Sequence, residues 1–330
     1  MTETPEPSAF ARQWNHRPDQ PVQTSPLFAW PPRPGALWRW FSGQWFALAE
    51  NTLILGLAVV IWMAASPGLE TTATLAPGWI AGIYLRNLVL MALVAGGLHY
   101  WFHGARKQGD HLKFDPRAMG MTGRVFTFGN QIHDNMFWSL ASGVGFWTAW
   151  EVLLLWAMGN GFAPVLDPRA HPIWFLVILL ATPLWISFHF YWIHRLLHWP
   201  PLYRTAHALH HRNTNIGPWS GLSMHPIEAC LFFSSAAIHL VVAAHPIHIL
   251  FHVMHQGLTA ATSHTGFENL VVKDARRLDL GRFHHQMHHR YFECNYGNLE
   301  VPWDKVFGSF HDGTDDSHQR MKERLKRRGM

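Results

Sequence analysis

Residues 173–193 read IWFLVILLATPLWISFHFYWI, and HRLLH follows at once at 194–198. The apolar run contains no Asp, Glu, Lys or Arg. Its length matches the roughly 20 residues an α-helix needs to cross about 30 Å of hydrocarbon at 1.5 Å per residue. The segment is therefore expected to span a membrane. It delivers His194 and His198 to one helical face, because residues four apart stack on a helix, before Trp199-Pro200-Pro201 stops it.

Three further apolar runs precede this one: Trp45 to Ala65, closed by Ser66-Pro67-Gly68; Trp79 to Phe102, interrupted by Arg86; and Met136 to Met158, which contains Glu151. A charge at that depth must snorkel or find a partner, so Arg86 is expected to do either, and Glu151 is expected to pair with His189 or to line a pocket. The loop after the second run carries Arg106, Lys107, Lys113, Arg117 and Arg124, whereas Ser66 to Gly78 has no basic residue and Gly159 to Pro172 has only Arg169. Basic loops stay on the cytoplasmic side, so both termini are expected there. Residues 227–263 are apolar again, but Pro246 and five histidines from His239 to His255 interrupt them. Two interfacial or re-entrant helices are expected, with a fifth and sixth crossing as the alternative. The expected fold class is all-α: an integral membrane helical bundle of about four transmembrane helices, with a cytoplasmic histidine-rich helical cap.

Composition points the same way. Of 330 residues, 48% are hydrophobic and only 14% charged, with 18 Trp and 22 Phe; soluble domains carry roughly 25% charged residues. Mean hydropathy is near zero only because 25 histidines and polar ends dilute the apolar runs. Two cysteines, Cys230 and Cys294, exclude a disulfide framework and a thiolate metal site. A net charge of +5 without a basic stripe suits anionic headgroups better than nucleic acid. Residues 1–36 are rich in Pro with Gln, Thr and Ser and have neither apolar periodicity nor a signal-peptide pattern, so a mostly disordered tail is expected. Residues 37–311 form the membrane-embedded domain, with the histidine-rich part at 190–311, and 312–330 a charged C-terminal tail.

Histidines carry the chemistry. Five fall within His194 to His211 and four within His284 to His289. His207, His210 and His211 repeat the one-face logic, as do His285, His288 and His289, so each set is expected to present one edge to a metal. Neutral imidazole suits Fe, Zn, Cu or Ni, and eight imidazoles exceed what one ion uses, so two ions are implied. No HExxH motif is present, and isolated histidines such as His16, His171 and His318 read as solvated or core side chains. His99 and His103 also stand four apart, but they read as a membrane-boundary pair beside Tyr100 and Trp101.

These segments resemble the fatty acid hydroxylase and sterol desaturase superfamily of membrane di-iron enzymes. The likeness runs through HRLLH at 194–198, LYRTAHALHH at 202–211, MHPIE at 224–228, HTGF at 264–267, HHQMHHRYFECNYGN at 284–298 and WDKVFGSF at 303–310. It implies two iron ions, O2 as co-substrate, a membrane lipid substrate, and electrons from a separate reductase or carrier. It also adds His264 as a ninth ligand. His225 and Glu228 are candidates for a further ligand or an orienting group, and Asn295 and Tyr296 for hydrogen bonds to the last histidine segment. His284 has no counterpart, and its ring is expected to turn away. The spacing of His252 and His255 departs from the fatty acid 2-hydroxylase pattern. The family match also suggests a bacterial inner membrane.

The expected activity is hydroxylation of a lipid acyl chain or headgroup. Desaturation of a lipid or sterol by the same metal pair, and hydroxylation of an aminolipid headgroup such as that of ornithine lipid, are the alternatives. No catalytic residue is expected beyond the metal ligands. A haem-carrying or metal-transporting membrane protein is the reading from another class, and it would place its histidines across paired spans or along a midplane path.

Overall fold

Proline opens most of the long helices, where its missing N–H would have had no intrahelical partner and its fixed φ already suits the first turn. In the computed structural model, which describes residues 8–327, these helices are α1 (Pro34–Trp45), α3 (Pro77–Gly104), α5 (Pro172–Leu197), α6 (Pro226–Leu240) and α7 (Pro246–Ser263). Between them lie α2 (Glu50–Ala65) and α4 (Gln131–Gly159). Single π-helical turns at Tyr100–Gly104 and Ser139–Gly143 re-aim α3 and α4. The antiparallel hairpin β1 (Asn269–Val272) and β2 (Ala275–Asp279), the short α8 (Phe283–Tyr291) and the C-terminal α9 (Asp315–Arg327) complete the chain. The hairpin turns on Lys273 and Asp274, both at positive φ.

Four segments are long and apolar enough to cross a membrane: Pro34–Ala65, Pro77–Gly104, Gln131–Gly159 and Pro172–Leu197. Their outward faces are apolar, with Met63 80% and Ile173 79% exposed. Such surfaces are stable against lipid and not against water. Their inward faces, with Ile54, Met91, Trp147 and Leu154, form one core. The protein is a helical integral membrane bundle.

α7 departs from an interfacial helix, the first form expected of this segment, because protein encloses it. It is buried along nearly its whole length and packs on α2, α3, α4 and α5. Its polar residues face protein instead of water: His248 bonds the Phe175 carbonyl at 2.9 Å, His252 bonds His239 at 3.0 Å, and His255 bonds Asn51 at 2.8 Å. Gly221 lets the turn Pro218–Leu222 press against α7, where an added Cβ would lie 2.0 Å from the Ala260 carbonyl oxygen.

The buried charges of the spans partner each other. Arg86 does not snorkel; its Nη2 donates to Glu151 at 2.5 and 2.6 Å, tying α3 to α4, and Asn87 adds a bond to the same carboxylate at 3.2 Å. His189 is therefore not the partner of Glu151 and instead meets the Ser234 hydroxyl at 3.1 Å.

The N-terminal segment differs from the disordered tail expected over 1–36; residues 1–7 lie outside the described residues. Phe10 and Trp14 are buried with Phe114, Phe283 and Met287. The backbone N–H groups of Val22 and Ser25 donate to the carbonyls of Asp312 and Leu299, each at 2.8 Å. Two aromatic anchors offset the composition that read as disorder. The charged C-terminal tail is helical as α9, with His318 and Met321 buried.

Candidate metal centre

α5 ends in the turn that carries His194 and His198, and the backbone N–H of His198 still bonds the His194 carbonyl. Pro200-Pro201 restarts the chain as a short helix whose π-helical turn, Tyr203–His207, feeds directly into Ala208–His211. π-turns recur at functional sites because they displace side chains from the regular register. His264 caps the C-terminus of α7, and α8 carries His285, His288 and His289.

These nine histidines, all expected as ligands, meet at one end of the bundle in two groups. His194, His198, His207, His211 and His288 form the first; His210, His264, His285 and His289 form the second. The expectation that each HxxHH set presents one edge to one metal is corrected. Adjacent helical residues point about 100° apart. His207 and His211 therefore turn to the first group and His210 to the second, while His285 and His289 turn to the second and His288 to the first. Each segment lies between the two groups and serves both.

Within a group the rings converge through Nε2. Separations are 3.1 Å for His194–His207, 3.1 Å for His198–His211 and 3.0 Å for His211–His288. In the second group they are 3.1 Å for His264–His285, 3.2 Å for His264–His289 and 3.2 Å for His285–His289. Two nitrogen donors about 2.1 Å from one ion and at right angles to each other stand about 3.0 Å apart. The rings of His211 and His289 are 4.9 Å apart, so the groups adjoin.

The opposite ring nitrogens fix the protonation state. His194 Nδ1 faces the Tyr296 carbonyl at 2.6 Å, His207 Nδ1 the Glu228 carboxyl at 2.8 Å, His288 Nδ1 the Cys294 carbonyl at 2.6 Å, and His264 Nδ1 the Ala260 carbonyl at 2.8 Å. A carbonyl only accepts, so in His194, His264 and His288 Nδ1 carries the proton and Nε2 keeps its lone pair. Burial pushes His198, His207, His211, His264, His285, His288 and His289 well below the ordinary histidine range, and His210 down to about 4. Neutral rings with facing lone pairs cannot bond one another; a cation between them removes the repulsion. The donor set therefore fits a pair of metal ions.

The other expected residues divide. Glu228 bonds the His207 ring, and burial raises its carboxyl well above the usual range. His225 caps α6 by accepting from Ile227 N and belongs to neither group. Asn295, at positive φ, ties the His284 and His311 carbonyls together at 3.0 Å each. Tyr296 acts through its carbonyl on His194, not on the last histidine segment, while its hydroxyl donates to Glu293 at 2.7 Å. His284 is buried and outside both groups; His99 and His103, half-buried, also lie outside them.

Sequence reasoning missed the supports. Asp304 accepts from the N–H groups of Tyr296 at 2.9 Å and Gly297 at 2.7 Å and from the Ser309 hydroxyl at 2.6 Å, which aims the Tyr296 carbonyl at His194. Its signal was the WDKVFGSF segment, whose physical role only the fold displays. Asn213 accepts from Gln131 at 3.1 Å and Asn135 at 2.9 Å, and Arg212 pairs with Asp134, anchoring the His207–His211 turn to α4.

A cavity of about 1150 Å³, its mouth included, opens from the second group between α1, α2, α5 and α7. Leu180, Leu184, Phe190 and Ile193 form its apolar wall, His194, His264 and His285 its metal-facing end, and Glu50, Arg282 and Glu300 a charged patch.

Residues 178–309 match the family model described as fatty acid hydroxylase. Similar curated proteins include the Delta(7)-sterol 5(6)-desaturase of Candida glabrata, 26% identical over 47% of this chain and 43% of that protein. The Delta(7)-sterol 5(6)-desaturase of Saccharomyces cerevisiae is 29% identical over 38% of this chain and 33% of its own length. The Delta(7)-sterol-C5(6)-desaturase of Nicotiana tabacum is 28% identical over 41% of this chain and 50% of its own length. The chain thus spans between a third and a half of these relatives. No solved structure is significantly similar. With its histidine segments inside the matched region, residues 178–309 are similar to the fatty acid hydroxylase and sterol desaturase superfamily.

Proposed function

We propose that this chain is an O2-dependent oxidoreductase that hydroxylates a membrane lipid with two iron ions held by the nine histidines. The carrying observation is the pair of Nε2 clusters, in which the Nδ1 atoms of His194, His207, His264 and His288 are committed to protein oxygens. His194, His198, His207, His211 and His288 would hold one ion, and His210, His264, His285 and His289 the other. When bound, the pair supplies the reduction of O2 coupled to oxidation of a C–H bond. One oxygen atom enters the lipid and the other leaves as water, with two electrons and two protons from outside.

The chain's residues supply the rest. The Tyr296, Cys294 and Ala260 carbonyls lock His194, His288 and His264 in one tautomer and orientation, and Glu228 orients His207. Leu180, Leu184, Phe190 and Ile193 give a lipid an apolar path to His194, His264 and His285 and exclude water from it. No dinucleotide fingerprint or ferredoxin-type cysteine pattern occurs in the sequence, which supports a separate reductase as electron donor. The basic loop from Arg106 to Arg124 supports a cytoplasmic site in an inner membrane.

A second reading, desaturation, is favoured by the names of the similar proteins. Lipid mass spectrometry of cells expressing the wild type or His288→Ala/His289→Ala, with metal analysis of both, decides. A lipid gaining one oxygen only with the wild type supports hydroxylation, and a lipid losing two hydrogens supports desaturation. A wild type that binds no iron overturns both.

A further inference from the structure

The charged patch in the cavity is unbalanced. Arg282 donates to Glu300 at 2.8 Å and lies 3.9 Å from Glu50. Two carboxylates thus face one guanidinium in a cavity whose other wall is apolar. Glu300 accounts for Arg282. Beyond the more distant Arg282 guanidinium, Glu50 has the Thr262 hydroxyl as its one hydrogen-bond partner among the described residues. His255 lines the same cavity, is 7% exposed, and presents a buried Nδ1 without a partner among the described residues. Once its Nε2–H is given to Asn51, that Nδ1 is an acceptor. A surplus carboxylate and an orphan acceptor in one cavity call for a ligand that donates hydrogen bonds, and buried negative charge favours a cation over a neutral donor.

The patch also lies close to the metal-facing end. Arg282 caps α8 three residues before His285, a rise of about 4.5 Å along the helix. Its backbone N–H bonds the Ser263 carbonyl, the residue before His264. A substrate anchored there puts carbons near its polar end, not far along its tail, beside the second histidine group.

We propose that Glu50, poised by Arg282 and Glu300, binds a protonated amine on an amphipathic lipid and so selects a substrate oxidised close to that amine. This rests on the lipid-oxidising reading but is tested without turnover. The full-length protein, stripped of metal and held in phosphatidylcholine nanodiscs, is melted with dodecylamine, 1-dodecanol or dodecanoate, since a ligand that binds the folded state raises Tm. Dodecylamine is expected to raise Tm most and dodecanoate least, and Glu50→Gln to weaken the apparent affinity for the amine roughly ten-fold or more while sparing the alcohol. Equal shifts with dodecanol overturn the charge claim. A dodecanoate shift as large as that of the amine, or an unaltered Glu50→Gln, overturns the subsite. If Glu50→Gln does not fold, the ranking of the three amphiphiles on the wild type decides alone. Any of these failures leaves the lipid mass spectra, and the reading they test, untouched.

Discussion

His194 and His207 face each other Nε2 to Nε2 at 3.1 Å, while the far nitrogen of each is held by an oxygen, the Tyr296 carbonyl for one and Glu228 for the other. The His194 ring cannot reverse its tautomer without breaking that bond, and the His207 ring is held in orientation by Glu228. Glu228→Ala should therefore leave the fold in place but release the His207 ring, and metal affinity should fall roughly ten- to a hundred-fold. Titration with a competing chelator measures it; an unchanged metal content across the titration would show that Glu228 does not orient a ligand.

Acid should destabilise the metal-free protein. Burial holds the eight cluster histidines beyond α5 below their ordinary value, His210 at about 4. The unfolded chain binds protons at these positions near pH 6.5 while the folded chain does not. Stability is therefore full above about pH 6.5 and is lost as pH falls toward 4, where His210 also protonates in the fold. Tm of the metal-free protein should fall steadily between pH 7.5 and 5. A flat profile would mean that the rings already carry protons or remain hydrated.

Asp304 organises the Tyr296–Gly297 turn from a distance. Asp304→Ala would orphan two buried N–H groups and a hydroxyl, a loss of about 3 kcal/mol, and would let the Tyr296 carbonyl drift from His194. Because that carbonyl touches only the first group, metal is expected to leave this group first, so the variant should retain about half of its metal. Loss of both ions together, at unchanged Tm, would contradict this route.

The spans and the nine histidines were legible because hydrocarbon thickness and helical pitch act on local sequence. What lay beyond local sequence was not. HxxHH looks like one edge until two centres flank the same helix and the 100° step between neighbours sends His210 and His211 apart. Arg86 and Glu151 sit 65 positions apart, and nothing short of the packing of α3 on α4 reveals that they pair. Composition misread the N-terminal segment because Phe10 and Trp14 are few among prolines, yet each is buried. α7 reads as broken by histidines, although those rings bond within the core.

The Arg86–Glu151 pair should show the asymmetry of buried ion pairs. Removing one partner leaves a charge in an apolar bundle, so Glu151→Ala or Arg86→Ala should each lower stability by about 3–5 kcal/mol. The double variant Arg86→Leu/Glu151→Leu removes both charges and should recover most of that loss. Thermal melts in nanodiscs make the comparison; a double variant less stable than either single one would mean that Asn87, which also donates to the Thr148 hydroxyl at 3.2 Å, depends on the pair.

Trp14 reaches the metal centre through α8. Its ring packs edge-on against Phe283 at 4.9 Å and lies under the Arg290 guanidinium at 4.7 Å, so it clamps both ends of the helix that carries His285, His288 and His289. Trp14→Ala removes a buried aromatic, a loss of about 3–5 kcal/mol. Because α8 is short, it should fray before the spans do. Hydrogen exchange should accelerate in residues 283–291 while α4 and α5 stay protected, and both ions should dissociate faster, since α8 serves both groups. If exchange rises equally in α4 and α5, Trp14 stabilises the bundle as a whole and the clamp on α8 is ruled out.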